Sequence, residues 1–321
     1  MEQESVMLAA RLHHWNTTPT LEEVTPPAPA SADEVTVAVE AAAVTHLDLT
    51  LTSGTFAYRP ELPFTPGTAG IGTVVSGDTA LLGRRVLVRG AGIGLERPGT
   101  WAEQVTAPRA AVRTIPDHAD AALAATCYSP MTTGWAAVDT VGHIVKGERV
   151  LVTGASGAVG SLAVQLAAQA GAHVLALVRD EAKAAAVPAA AHEILIGQGP
   201  DTLARAADSG GIDILLDTVG GDTLPTFLTA MRPGGRAVLI GYVAGKTLSI
   251  DLPSLLARDV TLLPMNMVRR HVPDEVFHGL LNDLTDRRLI LNTTTYPFDH
   301  LPAAVEARHQ GTVAGTLAVT M

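Results

Sequence analysis

The sequence predicts an α/β protein of two domains, an antiparallel barrel-like domain first and a parallel-sheet domain covered by helices after it. Three observations predict it. Between Glu34 and Thr106 short strand patterns follow one another with no helical period between them. From Arg149 to Ile240 strand and helix patterns alternate at regular spacing. Where the first of these later strands ends, glycines fall at 154, 157 and 160 and an apolar helical face begins. A chain of 321 residues suits two domains, each large enough to bury a core.

Residues 5–32 are proline-bearing and read as irregular. Val35-Thr36-Val37-Ala38-Val39-Glu40 alternates apolar and polar residues, as a half-buried strand does. Pro66 to Val75 reads as a glycine turn entering a strand, and Arg85–Arg89 and Trp101–Thr106 are further strands with Pro98-Gly99 turning between them. Asp117–Ala125 is alanine-rich and predicts a helix, and Ala136–Val145 a second. Strands then follow at 149–153, 173–178, 193–196, 212–217 and 236–240, with helices at 158–170, 180–187, 201–207 and 222–231. Pro233-Gly234-Gly235 is expected to end the fourth of these helices. Asp274–Arg287 and Leu301–Gln310 read as helices, and 315–320 as a last strand.

Composition removes several functions. The formal charge of −10 and the absence of any lysine or arginine block argue against a nucleic-acid partner. No run of about 18 uncharged apolar residues appears, so no membrane span is expected. The first five residues lack a basic segment followed by an apolar one, so no secretory leader is expected. The one cysteine, Cys127, excludes an internal disulfide and a cysteine-rich metal site, and fits a reducing, cytoplasmic setting. Free cysteines are usually small buried hydrophobes, and Cys127 is read as one.

The glycine turn carries the functional signal. Gly154 permits a tight turn, Gly157 lets backbone N–H groups approach a pyrophosphate, and Gly160 allows close packing of the helix. Ser156, Ala158 and Val159 complete the turn, and the helix N-terminus attracts the anion. The motif in this setting predicts a dinucleotide.

Six stretches, taken together and in order, resemble the medium-chain dehydrogenase/reductase superfamily in its zinc-independent, quinone oxidoreductase-like branch. They are Val44-Thr45-His46-Leu47-Asp48, Pro66-Gly67-Thr68-Ala69-Gly70, Gly99-Thr100-Trp101-Ala102-Glu103, Val150 to Gly160, Asp213 to Gly221, and Arg232-Pro233-Gly234-Gly235. The resemblance implies a groES-like domain split in sequence (1–118 with 263–321) and a Rossmann doubly wound domain (119–262). It also implies NADPH as hydride donor and a homodimer, for which Ala244–Leu252 offers a candidate edge strand. Zinc members of the superfamily place a cysteine where Thr45 stands and a His-Glu pair where Thr68-Ala69 stand. A hydroxyl and a methyl cannot replace thiolate and imidazole, so no metal is expected.

The same resemblance sets Thr132 on the nicotinamide side of the cofactor and makes Val219, Gly241 and Tyr242, at the ends of later strands, part of its pocket. Cofactor choice is read from the end of the second strand. Arg179 stands first beyond it, with Lys183 one helical turn on, and a guanidinium can hold a 2′-phosphate bidentately. Against this, both are compatible with plain surface charges, Asp180 would offer a ribose an acid, and Gly197 stands where many relatives have a tyrosine.

A hydride sent to an enone or quinone leaves an anion that needs donors and a proton. Enoyl-reducing relatives put a tyrosine where His46 stands. Three roles stay open for His46: proton donor, cofactor-phosphate contact, or structural histidine. Asp48 either orients a polar neighbour or caps a turn, and Thr45, Tyr58 and Tyr128 are candidate lining of the substrate pocket. The leading expectation is an NADPH-dependent reductase of quinones or α,β-unsaturated carbonyls. The alternatives are a dedicated enoyl reductase of one biosynthetic pathway and a non-catalytic NADPH-binding redox sensor.

Overall fold

The structure, a computed structural model, describes residues 5–29, 31 and 33–321, apart from the side chain of Ser209. The first four residues, included in the expectation of no leader, lie outside the described residues. In chain order the elements are β1 (Met7–Arg11), β2 (Thr20–Val24), β3 (Glu34–Ala43), α1 (His46–Thr52), β4 (Ala69–Ser76), β5 (Arg85–Arg89), β6 (Gln104–Pro108), β7 (Val112–Thr114), α2 (Ala121–Thr126) and α3 (Tyr128–Trp135). There follow β8 (Arg149–Thr153), α4 (Ala158–Gln169), β9 (His173–Val178), α5 (Glu181–Ala184), β10 (Glu193–Ile196), α6 (Pro200–Ala207), β11 (Ile212–Asp217), α7 (Thr223–Leu228) and β12 (Met231–Leu239). The chain ends with α8 (Leu252–Arg258), β13 (Thr261–Pro264), α9 (Asp274–Thr285), β14 (Thr293–Pro297), α10 (Leu301–Gln310) and β15 (Thr316–Thr320).

Two compact units result, Met1–Tyr128 with Asn292–Met321, and Ser129–Leu291. Both boundaries fall later than the expected 118 and 262, because β13 joins the second sheet and α9 stays with that unit. The last thirty residues belong to the first unit.

In the first unit a seven-stranded sheet runs β14-β15-β3-β4-β5-β7, with β6 also on β3. It is antiparallel apart from the β14–β15 pair. Val35, Val37 and Val39 of β3 meet Val74, Val86, Val88 and Val105 in one core with Trp101, which is fully buried. Burying each such aliphatic side chain contributes about 1.5–3 kcal/mol. The indole N–H of Trp101 donates to the Ala43 carbonyl at 2.8 Å, and the Thr100 hydroxyl to that of Ala69 at 2.9 Å. Gly67 (φ +105°) lies so close that a Cβ there would stand 2.6 Å from the Trp101 backbone nitrogen. The Pro66–Gly70 and Gly99–Trp101 stretches thus lock together, which fixes Thr68 beside α1.

The second unit carries a six-stranded parallel sheet in the order β10-β9-β8-β11-β12-β13. Val150, Val152, Val174 and Val178 pack on one face, and Leu151, Leu175 and Leu177 on the other. That is why these strands read as continuous apolar runs rather than alternating ones.

Several expectations are corrected. Residues 7–11 and 20–24 pair as an antiparallel ribbon, although alanine and glutamate gave them little strand signal. The α1 helix was not foreseen; a capping box, Thr45 with Asp48, starts it. Asp120 accepts the Leu123 N–H and starts α2 later than Asp117. The second expected helix begins earlier, as α3, and runs into a π turn over Ala136–Val141. Pro233-Gly234-Gly235 does not end a helix; α7 closes at Leu228 and the three residues bulge within β12. Ile212 pairs with Met231 but Ile214 with Arg236, because Pro233 has no N–H to give the ladder and Gly234 has φ +78°. Ala244–Leu252 forms no strand up to the start of α8; the sheet's edge there is β13.

Candidate functional site

In the second unit the site is built largely of backbone. The β8 strand occupies the middle of the sheet, where the order reverses between β8 and β11, and ligands of such sheets sit beyond the strand ends at this point. Gly154 turns the chain with φ +62°, and a Cβ there would stand 2.6 Å from the Thr218 Oγ1 and 2.9 Å from Val219 Cγ2. Gly157 is the N-cap of α4 and has no side chain to cap it, so the first turn presents its N–H groups with Ser156, Ala158 and Val159 around them. A side chain at Gly160 would collide with the Gly154 carbonyl, so this glycine seats the helix on the turn.

A buried carboxylate holds the strand ends. Asp217 accepts the Thr153 hydroxyl at 2.6 Å and the Gly220 N–H at 3.0 Å; burial pushes its carboxyl up, against the pull of these donors. Thr218 is tied back to Thr153 by two hydrogen bonds, at 2.9 and 2.7 Å. The Gly241 N–H donates to the Asp217 carbonyl at 3.2 Å, and a side chain at Gly241 would strike the Thr218 carbonyl. Val219 and Gly241 are therefore side by side at the ends of β11 and β12, and Tyr242 follows, exposed. Thr132 is buried on α3, which Gly134 lets approach α4: a Cβ at Gly134 would meet Ala163 N at 3.4 Å.

At the end of β9, Arg179 is 82% exposed, and its Nε meets Asp180 at 3.0 Å. Asp180 faces the start of α5, where it accepts the Lys183 N–H, and its hydrogen bond from Arg179 holds its carboxyl low. The acid is thus engaged by the helix and by the very arginine it was set against. Gly197 (φ +74°) ends β10 beside the Arg179 carbonyl.

In the first unit the site is built of side chains. The Asp48 carboxylate is fully buried: Oδ2 accepts the Thr45 N–H at 2.8 Å and the Thr45 hydroxyl at 2.6 Å, and Oδ1 accepts the Thr68 N–H at 2.9 Å. Asp48 therefore caps α1 and also fixes the β4 approach, so the two readings of it describe one arrangement. Burial raises its carboxyl pKa, and the hydrogen bonds oppose that. His46 is exposed as a residue, yet enough protein surrounds its ring, with the Arg308 charge beside it, to hold the imidazole below its usual pKa. Among the described residues no hydrogen bond reaches the His46 ring, although the Thr50 hydroxyl donates to its backbone carbonyl at 2.9 Å. The neutral ring therefore predominates at pH 7.

Sequence reasoning missed three arginines here. Arg308 is buried on α10 and donates to the Val44 carbonyl at 3.1 Å and the Gly315 carbonyl at 3.4 Å. Arg89 and Arg113 both approach the face of Tyr128, with Cζ 4.4 and 5.6 Å from the ring centre. Nothing local in the sequence joins positions 46, 89, 113 and 308; β5 pairs with β7 to bring Arg89 and Arg113 near each other, and α1 lies against α10. Tyr58, on the loop after α1, is 45% exposed and makes no hydrogen bond to this group. Cys127 is 1% exposed with its thiol pushed up to about 12 by burial, which makes it an inert hydrophobe. Among the described residues no three His, Cys, Asp or Glu side chains gather as metal ligands would.

Comparison with known proteins follows the same division. The alcohol dehydrogenase GroES-like domain matches residues 31–117, and the zinc-binding dehydrogenase domain matches residues 158–284. Quinone oxidoreductase-like protein 2 of Mus musculus is 30% identical over 253 residues, which is 76% of this chain and 70% of that protein. Quinone oxidoreductase of Homo sapiens is 27% identical over 242 residues, 73% of this chain and 71% of that one. Among solved structures, that of AibC superposes on 99% of this chain and 96% of its own with a TM-score of 0.88 and 25% identity. A mycobacterial protein solved in complex with NADPH shares the fold, with a TM-score of 0.82 and 22% identity over 98% of this chain and all of that one.

Proposed function

The chain belongs to the medium-chain dehydrogenase/reductase superfamily, in its quinone oxidoreductase-like branch, and on that premise we propose that it is a zinc-independent, NADPH-dependent reductase of quinones or α,β-unsaturated carbonyls. The observation that carries this is the glycine cradle at the strand-order reversal, with Gly154, Gly157 and Gly160 each at a place a side chain would fill or strain. Ser156, Ala158 and Val159 would hold the pyrophosphate by backbone N–H groups, Arg179 and Lys183 the 2′-phosphate, and Thr132, Val219, Gly241 and Tyr242 the remainder of the cofactor. The cationic pair at the end of β9, with Asp180 turned to its helix cap, supports NADPH over NADH.

NADPH held by these residues would supply the hydride. The protein's own residues have the remaining work, which is to hold the acceptor, stabilise the oxyanion and supply one proton. His46 is the group we assign to that proton, given to the enolate carbon of an enone, with solvent restoring the imidazolium. Thr45 and Asp48 position it by fixing the first turn of α1, and Tyr58 and Tyr128 are proposed to line the acceptor's pocket. Metal-free chemistry is supported by the donor set: the Thr45 hydroxyl is spent on Asp48, and Thr68 and Ala69 bring neither imidazole nor carboxylate.

NADPH oxidation measured with protein dialysed against EDTA, across a panel of quinones and enones, tests the reading. Turnover with either class supports it, and enone-only turnover points to a dedicated enoyl reductase. Tight NADPH binding with no turnover on any acceptor would leave a redox sensor and sink the proposal. We further infer a homodimer formed through the second unit, where β13 is an open edge and Leu252, Leu256 and Val268 are 59%, 70% and 94% exposed. A monomeric mass in solution removes that inference. The single buried cysteine supports a reducing, cytoplasmic location.

A further inference from the structure

Several arginines of this chain have an acid as partner. Arg85 pairs with Glu40 at 2.8 Å, Arg97 with Glu34 at 2.6 Å and Arg232 with Asp213 at 2.6 Å, while Arg236 holds Glu148 through two nitrogens. Arg89 has no such partner among the described residues. It closes β5, half-buried, and among the described residues its guanidinium has neither a hydrogen bond nor an ion pair. What it has is the ring face of Tyr128, 4.4 Å from Cζ, which it shares with the guanidinium of Arg113. Burial, and the like charge of Arg113, both disfavour its cation. A ring face offsets only part of the cost of desolvating a guanidinium.

Asp48 is the acid whose charge Arg89 feels, and it cannot answer. Its two oxygens are already taken by Thr45 and the Thr68 N–H, and its carboxylate is fully buried. The strand register then says where the guanidinium belongs. Arg89 stands directly opposite Ala69, so the two side chains leave the same face of the sheet, at the end that carries Thr68. The unmatched cation is thus at the strand end linked through Asp48 to Thr45 and α1, the helix that begins with His46.

We propose that Arg89, lying on Tyr128, is a subsite for a carboxylate on the acceptor, so that the preferred substrate is an enone or quinone acid rather than a neutral molecule. The proposal rests on the reductase reading for the word acceptor, but the subsite itself does not need turnover. A planar guanidinium takes a carboxylate through two parallel N–H bonds, and such charge-assisted pairs gain strength where water is sparse. The Tyr128 ring keeps the fork flat and dry on one side.

The test uses 4-oxo-4-phenylbutanoate and its methyl ester, which cannot be reduced as enones, titrated calorimetrically into the full chain with and without NADP⁺. The expected result is a carboxylate bound about tenfold tighter than the ester, a difference of about 1.4 kcal/mol. In Arg89→Met the ratio falls to near one, and in Arg89→Lys part of it survives. Equal affinities in the unaltered protein, or an unchanged ratio in a folded Arg89→Met, overturn the proposal. Should Arg89→Met fail to fold, raising the salt about tenfold must weaken the acid and spare the ester, and equal weakening counts against the subsite. Turnover of the corresponding enone acid and ester separates the two readings. A binding preference without NADPH oxidation leaves the subsite standing and removes the reductase. Oxidation with both acceptors at equal affinity does the reverse.

Discussion

Each unit keeps a buried aspartate tied to a threonine and to backbone N–H groups, and the two differ in what surrounds them. Asp217 takes the Thr153 hydroxyl and the N–H of Gly220, and among the described residues no cation shifts its carboxyl. Asp48 takes Thr45 and Thr68 in the same manner, but the charges of Arg89 and Arg308 both feel it, and His46 opens the helix it caps. Both carboxyls are raised by burial. The first network fixes a backbone shape, and the second fixes a set of charges. A dinucleotide's pyrophosphate can be held by shape and N–H groups alone, whereas an acceptor that turns into an anion needs side chains with charge and a proton.

The largest expected effect falls on shape. Gly154→Val must adopt φ +62° and drive its side chain into Thr218, at a cost of about 2–4 kcal/mol. NADPH affinity should fall by at least about a hundredfold, since the turn itself is lost. Urea unfolding and NADPH titration check the two parts, and wild-type affinity in the variant would break the assignment of the cradle.

Next come the two aspartates, which the account separates by readout. Asp217→Ala and Asp48→Ala each strand buried donors and should cost about 2–4 kcal/mol of stability. In protein that remains folded, the first should raise the Kd for NADPH and the second should lower kcat at unchanged NADPH affinity. Identical profiles for the two would erase the contrast between the units.

The pH profile carries a smaller signal with a definite sign. Burial and the Arg308 charge hold the His46 imidazole below its ordinary value of 6.5, so the acid form grows only as pH falls through that lowered pKa. If His46 donates the proton, kcat for an enone rises as pH is lowered from about 8 and flattens below the lowered pKa. His46→Gln should give a flat profile, and Arg308→Met should move the inflection to higher pH because a repelling charge is gone. A flat profile in the unaltered protein would return His46 to the phosphate-contact or structural reading.

The smallest effect is expected at the cationic pair after β9. Arg179→Ala or Lys183→Ala should each reduce the preference for NADPH over NADH by about tenfold, with the loss shrinking at high salt. Unchanged preference in the double variant would mean that the 2′-phosphate is held elsewhere.

The same contrast explains what the sequence allowed one to read. The parallel sheet and its glycine turn were legible because their signal is local. Apolar runs of β8, β9, β10 and β11 were placed at their observed bounds, and Gly154, Gly157 and Gly160 follow β8 directly. The miss at Pro233–Gly235 arose because a proline-glycine run marks a bulge as readily as a helix end. In the first unit a capping role for Asp48 was one of its two readings, but the Thr45-x-x-Asp48 spacing also starts a helix, α1, which the strand patterns around it concealed. Arg89, Arg113, Tyr128 and Arg308 were beyond any such reading. They come from β5, β7, α3 and α10; the antiparallel pairing of β5 with β7 gathers the two strand arginines, and the helices are brought to them only by the tertiary fold. A site made by one turn can be seen in a line of sequence, and a site made by the tertiary fold cannot.

The most direct test of the account follows the hydride. With EDTA-dialysed protein, NADPH deuterated at C4 and an enone acceptor, mass spectrometry of the product reads where each hydrogen came from. One deuterium on carbon from the cofactor, and one hydrogen from solvent, is the result predicted for metal-free hydride transfer followed by protonation. An unlabelled product from both faces of the cofactor, or reduction that appears only when Zn²⁺ is restored, would contradict it.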